Sequence, residues 1–147
     1  MAKRILVPLD ETVHAESAVD LVADMAKGGS ATVRLLHVAP DPGNVVSDGR
    51  IVAYADQEGA RLESEGLDYL RAIEARLGVP VECAVRFGDP VKEILEEADA
   101  FHADLIVVST KAAGALSRLV LGSVAEQVLR RAAAPVMLLR AARKPAA

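Results

Sequence analysis

The sequence predicts an α/β fold, a mainly parallel sheet with helices on both faces, and three observations carry that expectation. Short continuous apolar runs at Ile5–Leu9 and Leu105–Val108 have the character of central strands covered on both sides. Stretches with helical spacing separate these and the other strand-like segments, while Gly and Pro fall at the boundaries instead of inside the runs. Strand and helix alternating in this way require right-handed crossovers between parallel strands. With 147 residues the chain is expected to form one domain over residues 1–142, followed by a short disordered tail at 143–147.

Each element can be justified in turn. After the first strand, Ala18, Leu21, Val22 and Met25 recur at helical spacing from Thr12 onward, and Gly28-Gly29 marks the stop. Thr32–Val38 reads as the second strand, and Ala39–Asn44 as a loop rich in breakers. A second helix is expected to occupy much of Ile51–Leu77, with Leu62, Leu70, Ile73 and Leu77 as its seam and Gly59 and Gly66 as weak points. Val81, Cys83 and Val85 alternate with polar or small residues, the pattern of a strand near a sheet edge. Asp89-Pro90 opens the third helix, because Asp can cap the first backbone donors and Pro suits the first helical position; Val91, Ile94, Leu95 and Ala98 form its stripe. Leu105–Val108 is the fourth strand, with a loop expected from Ser109 to Leu121. Gly122-Ser123 then precedes a helix with Ala125, Val128, Leu129 and Ala132 on one face, and Val136–Leu139 is the fifth strand.

Composition excludes several function classes. A net charge of −4, with two Tyr, two Phe and no Trp, offers neither attraction for phosphodiester backbones nor surfaces for stacking bases, so no nucleic-acid partner is expected. The segment after Met1–Arg4 is too short for a signal-peptide core and no apolar run reaches spanning length, which predicts no membrane partner and a cytoplasmic location. Cys83 stands alone, so no internal disulfide can form, and its place in an alternating strand favours an inert thiol.

In an open parallel sheet, ligands bind beyond the carboxyl ends of the strands, where strand order reverses. Pro8-Leu9-Asp10, His37-Val38 and Val108-Ser109-Thr110 occupy such ends, bringing together a carboxylate, apolar walls and hydroxyls that suit a nucleoside. Gly122-Ser123 sits at a helix start, whose unpaired N–H groups favour a phosphate; Ser123 can equally be a simple cap. Lys111 and Arg118 either face phosphates or are solvated surface charges. His37 is read as a packed residue, no nucleophile–base series is visible, and no spacing suits a metal, so no catalytic residue and no metal ligand are assigned. A phosphorylation receiver domain fails at the third strand, which ends in Phe87-Gly88 without an acceptor aspartate.

Ile5–Asp10, Gly88–Pro90, Ala103–Val108, Leu116–Glu126 and Ala134–Val136 together resemble the universal stress protein family nearly end to end. The resemblance implies a three-layer sandwich around a five-stranded sheet of order 3-2-1-4-5, flavodoxin- or Rossmann-like, of the adenine nucleotide alpha hydrolase-like kind. It also implies a homodimer and, in one branch, an ATP site with the pattern Gly-x2-Gly-x9-Gly-Ser/Thr. Here that pattern falls on Ser109, Ala112, Gly122 and Ser123, so two of its glycines are replaced; Glu11 and Ala115 also stand where glycine is common. By position, Pro8, Leu9, Asp10 and Val38 would surround the adenosine, Val108 to Ala112 would follow the phosphates, and Gly122, Ser123 and Val124 would hold the terminal ones. A Cβ at 109 or 112 would cost on the order of 1 kcal/mol if positive φ were required there.

The expectation is therefore a non-catalytic stress-response regulator binding ATP or another adenine nucleotide, with magnesium as a companion of the phosphates. At most slow hydrolysis of bound nucleotide would accompany it. The alternative is an interaction protein of the same fold that binds no nucleotide. Pro135–Arg140 forms an edge strand of apolar side chains, expected to pair with its counterpart in a second copy; a further protein partner is unidentified.

Overall fold

A computed structural model describes residues 3–10, 13–113, 118–120 and 123–140. Strand β1 (Arg4–Pro8) leads into helix α1 (Val13–Gly29), β2 (Thr32–Ala39), a hairpin of β3 (Val45–Ser47) and β4 (Arg50–Ala53), and α2 (Ala55–Leu77). Then follow β5 (Glu82–Phe87), α3 (Pro90–Phe101), β6 (Leu105–Ala113), β7 (Arg118–Val120), α4 (Ser123–Arg131) and β8 (Val136–Arg140). The parallel sheet runs β5-β2-β1-β6-β8, which is the expected order 3-2-1-4-5 once the short antiparallel strands are set aside.

Period-two alternation along each strand divides the core into two layers. Ile5, Val7, Val33, Leu35 and Val107 point toward α1 and α2, whereas Leu6, Leu36, Ile106 and Val108 point toward α3 and α4. The central strands are buried on both faces, as their unbroken apolar runs require. Both layers are filled by aliphatic side chains, with Phe101 as the one large aromatic fully buried.

Several expectations are corrected in detail. Helix α1 buries Val19, Val22 and Ala23 and leaves Leu21 44% exposed, so its face is turned by one residue from the expected stripe. Apolar residues cover so wide an arc of this helix that spacing alone does not select the face. Leu129 of α4 is likewise 43% exposed, while Ala125 and Val128 are buried. The stretch expected to open the second helix at Ile51 instead forms the β3–β4 hairpin, turning through Asp48 (φ 51°) and Gly49 (φ 74°). Positive φ at both central residues is the two-residue turn that matches strand twist, and Asp-Gly is its sequence signature. Gly66 is no weak point but a site of close approach: a Cβ there would lie 2.9 Å from Val85 Cγ2 and 3.0 Å from His37 Cδ2.

The start of α3 follows expectation. Asp89 accepts from the backbone N–H of Lys92 at 2.9 Å, with Pro90 at the first helical turn. Its buried stripe, however, includes Glu97 beside Val91, Ile94 and Ala98. The end of α3 is closed by His102 in the left-handed conformation, whose N–H donates to Ala98 and Asp99 carbonyls.

Candidate functional site

A crevice opens where β1 and β6 part. β1 stays in register with β2 along its whole length, from Arg4↔Thr32 to Pro8↔Leu36. Against β6 the register covers only Ile5↔Leu105 and Leu6↔Ile106. Beyond those pairs β1 continues beside β2, while β6 continues beside β8 from Ile106↔Val136 to Thr110↔Arg140. The two halves of the sheet thus separate at the point where strand order reverses, the expected ligand position in an open α/β sheet.

The residues expected at the site divide into three groups. Pro8, Val38 and Ser109 are half-buried at strand ends, and Asp10 is exposed just past β1. Leu9 and Val108, by contrast, are core residues at 3% and 6% exposure, so they shape the floor without offering side chains to a ligand. Leu9 is held from both sides: its N–H donates to Leu36 O at 2.8 Å, and its carbonyl lies 3.3 Å from His37 Nδ1. Ser123 and Val124 are exposed in the first turn of α4. Gly122 lies outside the described residues, as do Glu11, Gly114, Ala115 and the tail from 141.

The segment expected to loop along phosphates is strand instead. Ser109 pairs with Leu139 and Thr110 with Arg140 of β8. From Lys111 the partner changes to β7, antiparallel, through Lys111↔Val120, Ala112↔Leu119 and Ala113↔Arg118. Ser and Ala at 109 and 112 carry a Cβ and fit extended backbone without strain, whereas a phosphate-wrapping turn would ask for the conformations glycine tolerates.

His37 is a structural group. Besides the Leu9 carbonyl it meets the Tyr69 ring edge-on, with centroids 5.9 Å apart. Cys83 is partly buried, and its thiol is pushed up by burial and by the nearby Glu74 carboxylate against a smaller opposing effect of Arg71, so it stays protonated and unreactive. Among the described residues no cluster of His, Cys, Asp and Glu has the arrangement of a metal site.

Two features near the crevice escaped sequence reasoning. The turn after β5 is tied to the end of β2 by Gly88 N–H donating to Ala39 O at 3.0 Å, with Gly88 at φ 123° and the Asp41 carboxylate packed beside it. Below it, Glu97 joins Arg34 at 2.6 Å and Arg86 at 2.7 Å, a buried carboxylate bridging β2 and β5. Its sequence signal was available, because Glu97 stands three residues after Ile94 on the buried stripe, opposite arginines on the same face of two neighbouring strands.

The architecture defines a doubly wound α/β domain whose strand order reverses between β1 and β6. Over residues 1–140 the chain matches the universal stress protein family model, and it belongs to that family. It is 31% identical to the universal stress protein in the QAH/OAS sulfhydrylase 3'region of Thermus aquaticus, over 95% of this chain and all of that one. It is 28% identical to universal stress protein YxiE of Bacillus subtilis, again over 95% of this chain and all of the relative. Among solved structures, hypothetical protein MJ0577 superposes with a TM-score of 0.76 at 23% identity, covering 98% of this chain and 99% of that one. A universal stress protein in complex with cAMP gives 0.65 at 22% identity, covering 95% and 97%. The Archaeoglobus fulgidus protein in complex with dAMP gives 0.61 at 20%, covering 94% and 97%. These likenesses establish the shared fold.

Proposed function

We propose that this protein is a non-catalytic, dimeric stress-response regulator that binds an adenine nucleotide in the crevice between β1 and β6. The observation that carries the reading is the early end of the β1–β6 register at Leu6↔Ile106, at the switch point of an open α/β sheet where ligands bind, with Pro8, Val38 and Ser109 half-buried and Asp10 exposed at the neighbouring strand ends. Two proteins of the same fold form complexes with adenine nucleotides, cAMP and dAMP, which supports this ligand class. Magnesium would enter only with the phosphates of the ligand.

His37 is occupied by packing and by the Leu9 carbonyl, which suits binding better than proton transfer. Dimerisation would use β8, which pairs with β6 and ends the parallel sheet; an antiparallel second copy of β8 would cover its open edge. No described helix is long and apolar enough to cross a membrane. The proposed setting is the cytoplasm, with an unidentified protein partner reading the nucleotide state.

Calorimetry with AMP and with ATP plus magnesium tests the site. Measurable heat below millimolar ligand is expected with at least one of them, and silence with both would remove the reading. A nucleotide-free interaction protein is the second reading, favoured by the paired strand at 109–113. Adenine nucleotide released on denaturing freshly purified protein would exclude it. Light scattering at micromolar concentration should give twice the chain mass.

A further inference from the structure

Apolar surface collects in the open on the β3–β4 hairpin. Among the described residues, Val45, Val46, Ile51, Val52 and Tyr54 are all exposed within this one stretch, whereas Leu21, Val124 and Leu129 stand apart on α1 and α4. Single exposed apolar residues are ordinary, but a contiguous patch marks a surface that something covers. Every residue of β3 is exposed, and so is every residue of β4 except Ala53, so neither face of the ribbon is packed on the domain. The two strands form a sheet of their own, apart from the parallel sheet. A two-stranded ribbon is marginal in water, and three or more strands are needed for independent stability.

The two outer edges of this ribbon differ. β4 carries Arg50, and its register against β3 passes from Val46↔Ile51 to Val45↔Ala53, leaving Val52 as an extra residue. A charge and a bulge both discourage a further strand from pairing. β3 has neither: Val45-Val46-Ser47 is uncharged and free of proline. Ser47 and Arg50 flank the two-residue turn and bond to each other, so antiparallel alternation turns the Val46 N–H and C=O outward. One residue thus offers both a donor and an acceptor, which is self-complementary across a two-fold axis. Charge favours no foreign partner, since Asp48 and Arg50 are the only charges between Asn44 and Ala55 and they cancel.

We propose that β3 is a homotypic docking edge, to which a second copy of this chain adds its own β3, antiparallel and centred on Val46. Val46 N–H donates to the second copy's Val46 carbonyl and the same bond is returned, so that two marginal ribbons become one four-stranded sheet. This contact is separate from the β8 edge and independent of any nucleotide. Strands of three residues bury well under the roughly 1,200 Å² of a stable interface, so the association is weak and concentration-dependent.

Sedimentation equilibrium of the full chain from about 10 μM to about 1 mM, a span that reaches weak association, reads the contact. The average mass should rise toward twice its low-concentration value, whether that value is one chain or, with β8 paired, two. Val46→Lys, with a native circular-dichroism spectrum, should hold the low-concentration mass throughout. No rise, or a rise that survives Val46→Lys, would overturn the proposal.

A cross-link locates the contact. Residues paired in this way lie about 5.5 Å apart at Cα, within the roughly 4.4–6.8 Å that a disulfide spans, so Val46→Cys should form a covalent pair under mild oxidation. Ile51→Cys, held about three strand spacings or roughly 14 Å from its counterpart, should not. Wild type, whose Cys83 is partly buried in β5, should not either. Equal cross-linking of Val46→Cys and Ile51→Cys, or of neither, would overturn the β3 pairing. Flotation with phosphatidylcholine vesicles in place of the mass rise would make a lipid surface the occupant, with the same consequence.

Discussion

The two ends of the sheet are built on opposite plans. At the amino end β1 is tied to both neighbours: Arg4 N–H donates to the Asp104 carboxylate at 2.8 Å, Asp104 N–H returns to Arg4 O at 2.8 Å, and Thr32 N–H reaches Lys3 O at 2.7 Å. The Phe101 ring has the guanidinium carbons of Arg4 and Arg34 each 4.1 Å from its centroid, and Glu97 ties Arg34 at this end to Arg86 further along β5. At the carboxyl end β1 and β6 separate after two paired residues. The crevice proposed to bind a nucleotide requires backbone left apart in a sheet whose neighbours are otherwise paired, and the early end of the β1–β6 register meets that requirement.

The largest expected effect breaks the closed end. Glu97→Ala removes the carboxylate that Arg34 and Arg86 share, leaving Arg34 with Glu82 at 2.7 Å and Arg86 with Glu96 at 3.0 Å. Loss of one partner from a fully buried ion pair costs about 3–5 kcal/mol; because these arginines keep Glu82 and Glu96 as partners and roughly a quarter of their surface in water, about 2 kcal/mol is expected in urea unfolding. A loss under about 1 kcal/mol, the range of exposed pairs, would show that the bridge does not brace the sheet.

The same group sets an acid limit. Burial pushes the Glu97 carboxyl up, but hydrogen bonds from Arg86 and Arg34 and their charges outweigh it, and the net shift is downward. A carboxyl depressed in the folded state contributes stability above its unfolded value, near about 4.3, and that contribution disappears as pH falls through the lower folded value. Unfolding free energy measured from pH 6 downward should therefore drop steeply below about pH 4, and less steeply in Glu97→Gln.

A smaller effect probes the link between packing and crevice. In Gly66→Ala the new methyl meets Val85 Cγ2 at 2.9 Å and His37 Cδ2 at 3.0 Å. Overpacking of this kind costs about 1–3 kcal/mol, and better helix propensity returns about 1. A net loss of about 1 kcal/mol, the middle of the roughly 0–2 that these two terms leave, is expected in thermal unfolding. Amide shifts should extend through His37 to Leu9 and Asp10, because His37 Nδ1 lies against the Leu9 carbonyl. Shifts confined to α2 and β5 would separate this packing from the open end.

Most of the fold could be read in advance because each central strand is an unbroken apolar run and each crossover helix carries its own punctuation. Asp89-Pro90 is the clearest case, since cap and ring are local chemistry and need no partner elsewhere. What escaped depended on distant partners. Glu97 makes sense only once Arg34 and Arg86 are placed on the same face of adjacent strands, and Gly66 only once Val85 and His37 are known to press against α2. The β3–β4 hairpin is a different failure: Asp48-Gly49 is a strong local turn signal that the reading of a helix from Ile51 left out, and the apolar residues after it are exposed, Val52 at 62%. At the site, the strand ends were legible from the runs preceding them. The extension of β6 to Ala113 was not, because Ser109–Ala113 are small or polar and adopt strand geometry through β8 and β7 rather than by their own preference.

The smallest expected effect lies at the open end. Asp89 satisfies one orphan donor of α3 through its 2.9 Å bond from Lys92 N–H, and Pro90 removes another by having none. Asp89→Ala should cost about 1 kcal/mol, with Asp89→Asn nearly neutral because its amide oxygen still accepts. If both open-end and closed-end variants cost the same, the contrast between a braced end and a permissive one fails. If Asp89→Ala costs less than a few tenths, the usual cost of a cap replaced by glycine, then the Gly88–Ala39 hydrogen bond alone holds the turn. That outcome would place the rigidity of the crevice rim in its backbone rather than its caps.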